Sequence, residues 1–156
     1  MKKRTLSIAF AMAAIASADN TLGTWTYNAG KSKPAPDVSP ITSLTLTRMP
    51  AESLYGGAIV SAKGARADGS KIEANYTVKY DGKDVTVTGT GLTFDTVSAT
   101  QVNDNAVNEM RSKKDGKYKV KVQTLVSKDG KTMTSTTKGT GADGKSFTAV
   151  TVYDKQ

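Results

Sequence analysis

The chain has 156 residues, a formal net charge of +8, no cysteine and no histidine. Its length argues for one domain. The missing side chains exclude disulfide scaffolds, Ser-His and Cys-His nucleophile systems, and zinc centres of the usual His/Cys kind.

Lys2, Lys3 and Arg4 precede an apolar run at 5–16, TLSIAFAMAAIA. That run is shorter than the roughly 20 residues needed to span a bilayer. Ala16-Ser17-Ala18 fits the small-x-small cleavage rule, so residues 1–18 are expected to be a secretory signal peptide cut after Ala18. The remaining 19–156 is expected to be a single domain, periplasmic or secreted, with no integral membrane segment. Loss of Lys2, Lys3 and Arg4 would lower the charge from +8 to +5, an ordinary basic surface.

Ten strands are predicted, near 22–28, 41–48, 55–65, 71–80, 84–89, 93–102, 106–113, 117–127, 131–138 and 145–154. No segment after the leader carries helical periodicity. Residues 31–40, KSKPAPDVSP, hold three prolines and are predicted to be the one long connection. Alternation is plain in 71–80, where Ile72, Ala74, Tyr76, Val78 and Tyr80 share one face. In 117–127, Tyr118, Val120 and Val122 oppose Lys117, Lys119 and Lys121. One dry and one wet face describe an antiparallel sheet over a core.

Asp-Gly occurs five times, at 68–69, 81–82, 115–116, 129–130 and 143–144. Asp-Gly between alternating segments is a strong hairpin signal, because glycine takes a positive φ freely and aspartate bonds back to the local backbone. Each pair is therefore read as a hairpin tip, and the whole as an all-β, antiparallel up-and-down barrel of about ten strands. Eight strands leave room for little more than side chains, and ten leave more. Few aromatics and many Ala, Ser, Thr and Val residues favour an internal cavity; the alternative is a flattened barrel collapsed on itself.

The opening Leu22-Gly23-Thr24-Trp25 places Gly-x-Trp on the first strand and resembles the signature of the calycin superfamily, which includes lipocalins and fatty-acid-binding proteins. Val150-Thr151-Val152-Tyr153 resembles the closing strand of the latter. The layout is similar to that of small secreted bacterial lipocalin-like proteins. The resemblance implies a barrel with an internal ligand and Trp25 at one end. It also marks a departure: the two ligand-gripping arginines of the fatty-acid-binding proteins fall at Thr124 and Thr151 here, and no helical lid follows the first strand.

Candidate ligand-binding residues are Trp25, Tyr76, Tyr80, Tyr118, Phe147, Tyr153 and Arg111, although each inward aromatic singly is more often packing than ligand contact. Glu109 and Arg111 share a strand face and are predicted to point outward, because buried charge is expensive unless paired. Turned inward, Arg111 would be the best site for an anionic ligand. The turn aspartates lack calcium-loop spacing, and the lysines of 117–121 face away from Tyr118, unlike a single-strand nucleic-acid platform. The expected protein is a monomeric, non-enzymatic binder of a small, mainly hydrophobic molecule, with no cofactor, metal or nucleic-acid partner. The alternative is an exported scaffold acting through its loops or its basic outer face.

Overall fold

The computed structural model describes residues 18–36 and 38–156; the predicted leader, apart from Ala18, lies outside them. Aspartate side chains shape most of the turns. Oδ1 of Asp68, Asp81, Asp129 and Asp143 accepts the backbone N–H two residues on, at 2.9, 3.0, 3.1 and 2.8 Å. The following glycines take φ values between 72° and 84°, where a β-carbon would be strained. The fifth pair departs from expectation: Asp115 itself takes the positive φ, 60°, which aspartate tolerates better than most residues.

These turns connect eleven strands: β1 (Gly23–Tyr27), β2 (Ile41–Pro50), β3 (Gly57–Arg66), β4 (Lys71–Lys79), β5 (Val85–Thr86), β6 (Thr88–Thr90), β7 (Thr96–Asn103), β8 (Ala106–Ser112), β9 (Lys119–Val126), β10 (Thr132–Thr140) and β11 (Ser146–Lys155). All pairings are antiparallel, and the sheet order is β5-β7-β8-β9-β10-β11-β1-β2-β3-β4-β6. The first and last strands pair, with Trp25 opposite Lys155. The two outermost strands, β5 and β6, are separated in the chain by Val87 alone. The result is an all-β, up-and-down barrel that is nearly closed.

Two sequence expectations change here. The strand predicted at 84–89 is two strands, because one segment serves two diverging neighbours: β5 pairs with β7 and β6 with β4. Between them Val87 is buried and donates its N–H to Asp95 O at 2.8 Å. Consequently Asp81-Gly82 is not a hairpin tip. It turns the chain from β4 to β5, which are not paired with each other.

The alternation read in β4 and β9 is realised. Ile72, Ala74, Tyr76 and Val78 are buried, as are Val120, Val122, Thr124 and Val126. Their neighbours Lys119 and Lys121 are exposed. Burying a valine side chain stabilises by about 1.5–3 kcal/mol, so a one-residue register slip, which would invert every side chain, is strongly disfavoured.

Strand direction separates two ends. One gathers residues 18–22, the β2–β3 turn, the 80–84 corner, the β7–β8 turn, the β9–β10 turn and the C-terminus. It is the closed end. Trp25 is fully buried there, donates Nε1–H to Thr21 O at 2.9 Å, and carries the Lys155 ammonium 4.6 Å from its ring centroid. The opposite end carries the 28–40 connection, which contains one turn of 3-10 helix, Ala29–Lys31. Lys33 straps this connection to β11 by bonds in both directions with Val150, at 2.7 and 2.8 Å. Arg66 holds its far side, donating to Ser39 O at 3.0 Å. Among the described residues no helix is long and apolar enough to cross a membrane.

Candidate functional site

The barrel encloses a cavity of about 180 Å³. Its walls are Leu44 and Leu46 from β2, Val60 and Ala62 from β3, Ile72 and Ala74 from β4, Val122 from β9 and Met133 from β10. Small polar side chains complete them: Thr124, Ser135, Thr137 and Thr151. A second space of about 140 Å³ lies beneath Pro34, Ala35, Val38 and Ser39 of the long connection. The two spaces share Ile41, Arg66, Thr93, Tyr118, Thr137 and Thr151. The interior is therefore hollow rather than collapsed, and it is reached beneath the Pro-rich segment.

The floor of the cavity carries charge. Glu109 is 2% exposed and points inward, with Arg111 beside it. This corrects the outward orientation expected from sequence. The reason is compensation across strands. Arg111 donates Nε–H and Nη2–H to Oε2 of Glu109, at 2.9 and 2.6 Å. Arg48, from β2, reaches Oε1 of the same carboxylate through Nη1, at 3.4 Å. Charge that is costly to bury alone becomes tolerable when paired and hydrogen-bonded.

Burial by itself raises the Glu109 pKa, but the Arg111 and Arg48 charges and their hydrogen bonds outweigh it and hold the carboxyl below its ordinary value. Burial likewise pulls both guanidinium pKa values down, and the Glu109 carboxylate together with the neighbouring tyrosines more than reverses this. All three groups are ionised at neutral pH, so two cations face one anion. Donors are also left over. Arg48 Nε is buried without a partner among the described residues. Among the described residues Arg111 spends only Nε and Nη2 on protein acceptors, and its side chain keeps 26% exposure while lining the cavity.

Tyrosines ring this floor. Tyr76 and Tyr153 line the cavity and are each 8% exposed. Burial, ahead of the neighbouring charges, pushes both phenols up to about 12, so they stay protonated donors. Tyr80 lies below the floor. It accepts from Arg48 Nη2 at 3.2 Å and donates to Asp19 Oδ2 at 2.5 Å. Above the floor, the Arg111 guanidinium sits 4.9 Å from the Phe94 ring centroid. Phe94 stacks on Tyr118 at 6.5 Å, and Tyr118 tilts against Phe147 at 6.3 Å. An aromatic series thus climbs from Arg111 to the mouth.

Of the seven candidate residues, Tyr76, Tyr118, Tyr153 and Arg111 line the cavity, and Phe147 lines the mouth. Trp25 packs at the closed end and Tyr80 beneath the floor, and neither lines the cavity. Sequence reading missed Arg48 and Phe94. Arg48 was signalled by parity, since it follows Leu44 and Leu46 at two-residue steps on one face of β2. Phe94 falls within the strand predicted at 93–102, but β7 begins only at Thr96, which leaves Phe94 in the segment before it, where alternation carries no information. The family positions of the missing arginines, Thr124 and Thr151, do face the cavity, while the cations come from β2 and β8.

The chain matches no family model, no curated protein and no solved structure. The calycin resemblance therefore stands on this chain's own residues, and its structural content is the nearly closed antiparallel barrel.

Proposed function

We propose that this protein is an exported, calycin-like binding barrel that holds one small, mainly hydrophobic molecule in its interior. The observation that carries the reading is the hollow core: an apolar-walled cavity with a few polar groups gathered on one floor, the usual composition of a small-molecule site. The charged start, apolar run and Ala16-Ser17-Ala18 of the sequence support export to the periplasm or the medium. Gly23-x-Trp25 on β1, with Trp25 at the closed end, supports the calycin likeness. Binding rather than catalysis is the role proposed, and the protein acts as a monomer.

Native mass spectrometry of the protein purified from its own cells tests this. The expected result is an additional small-molecule mass that departs on denaturation. A bare polypeptide mass, together with no uptake of apolar molecules added afterwards, would contradict it.

A second reading, an exported scaffold acting through its surface, draws on the β2–β3 hairpin. Leu54 is 101% and Tyr55 65% exposed at its tip, with Met49 and Ile59 paired and exposed on the outer face below. Capture of one specific envelope partner, lost in a Leu54→Ser/Tyr55→Ser variant, would favour this reading over the first.

A further inference from the structure

The cavity floor holds more positive charge and more hydrogen-bond donors than the protein uses. Two guanidinium groups meet one carboxylate, leaving one positive charge in excess on the cavity floor; Arg66, the third guanidinium lining the cavity, sits at the mouth and donates to Ser39 O and Gly91 O. Asp19 reaches this cluster only through the Tyr80 hydroxyl and is partly exposed at the closed end. Arg48 Nε is buried and unpartnered, and a buried donor without an acceptor is costly. The protonated Tyr76 and Tyr153 phenols also line the cavity wall. A single anionic oxygen pair seated beside Arg111 would neutralise the excess charge and accept from the guanidinium N–H groups that Glu109 leaves free.

The walls above specify what the anion is attached to. The Phe94, Tyr118 and Phe147 rings lead upward from Arg111 and favour a flat π-surface, which stacks in offset or edge-on geometry. A dry cavity of about 150 Å³ accommodates a benzene-sized guest. The 180 Å³ interior with the adjoining 140 Å³ space has room for one or two rings. It lies at the small end of ligand pockets, which run from roughly 300 to 1,000 Å³.

We propose that the occupant is a small aromatic monocarboxylic acid, its carboxylate on Arg111 at the cavity floor and its ring against Phe94 and Tyr118. This rests on the internal-binding reading above and gives its ligand a chemical class. One excess positive charge selects a monoanion; a dianion would leave buried charge uncompensated. A bidentate guanidinium–carboxylate pair is among the stronger polar contacts a protein makes.

The test is calorimetric titration of the full chain with 2-naphthoate, its neutral isosteres 2-naphthamide and 2-naphthylmethanol, and decanoate as a flexible acid. The expected order places 2-naphthoate at least tenfold tighter than each of the others. An Arg111→Gln variant is expected to lose that preference, bringing 2-naphthoate down to about the affinity of 2-naphthamide. The comparison among ligands on the unmodified chain needs no variant, so it decides the matter even if Arg111→Gln fails to fold. Equal affinity for acid and neutral isosteres would overturn the carboxylate assignment and leave the internal-binding reading intact. Tighter binding of decanoate would overturn the aromatic assignment. Undiminished naphthoate binding in a folded Arg111→Gln would place the acid elsewhere, and no uptake of any of the four would sink both readings.

Discussion

Replacing Glu109 by Gln removes one negative charge and nearly no volume. In the folded protein Glu109 is 2% exposed and lies between Arg48, whose side chain is 4% exposed, and Arg111. The amide would leave two guanidinium groups facing each other across a neutral side chain. Breaking a buried ion pair from one side costs about 3–5 kcal/mol. Arg111 keeps some exposure to the cavity, where water or a small anion can reach it, so the lower figure applies. A loss of about 3 kcal/mol corresponds to a Tm decrease of roughly 10 °C for a domain of this size. The sign of the pH dependence follows from the depressed pKa. The folded-state Glu109 pKa lies below its ordinary 4.5, so its contribution is present above that value and is lost as pH falls through the folded pKa. Thermal unfolding of both proteins, followed by circular dichroism between pH 7 and pH 3, measures this. The stability gap should be full at pH 7 and should shrink towards zero in acid as wild-type Glu109 protonates. The lowered pKa values of Asp68, Asp95, Asp129 and Asp154 are common to both proteins and cancel in the difference. A gap below 1 kcal/mol at pH 7, or one unchanged at pH 3, would refute the compensation argument.

Two further outcomes follow from the same geometry. Tyr76, Tyr80 and Tyr153, pushed up to about 12 chiefly by burial, should leave at least three phenols protonated at pH 11 by ultraviolet titration. Because the unfolded phenol ionises near 10, stability should fall as pH rises from about 10 through 12; full ionisation by pH 11 with the fold intact would contradict this. Gly89→Ala should lift β6 from β4, since the added carbon would collide with the Glu73 carbonyl oxygen, with φ at +144°. A cost of about 2 kcal/mol or more is expected, with faster amide exchange along β4. Gly69→Ala, at φ +83° with nothing within 4 Å, isolates the dihedral cost and should do less; equal losses would deny the steric role of Gly89.

Much of the barrel was legible because its signals are local. The 2-residue period of β4 and β9 and the Asp-Gly turns each need only neighbouring residues. The misreadings arise where a distant partner decides. Glu109 was predicted outward by a rule for single buried charges, and its orientation depends on Arg48, 61 positions away. The split at Val87 depends on how far β4 and β7 diverge, which no short window contains. Asp115 taking the left-handed conformation instead of Gly116 changes one turn and leaves β8 and β9 paired as hairpin neighbours. The site was half visible for the same reason: Tyr76, Tyr118 and Tyr153 follow from alternation, whereas the cation excess emerges only once β2 and β8 meet inside the barrel.

The interior, rather than the outer surface, is the proposed seat of the ligand. The most direct measurement is isotope-filtered nuclear Overhauser spectroscopy of the methyl-labelled full chain with 2-naphthoate. Contacts from the ring protons to Ile72, Ala74 and Val122, which line the cavity, are expected. Contacts confined to Leu54, Met110 or Leu125, all exposed on the outside, would contradict it.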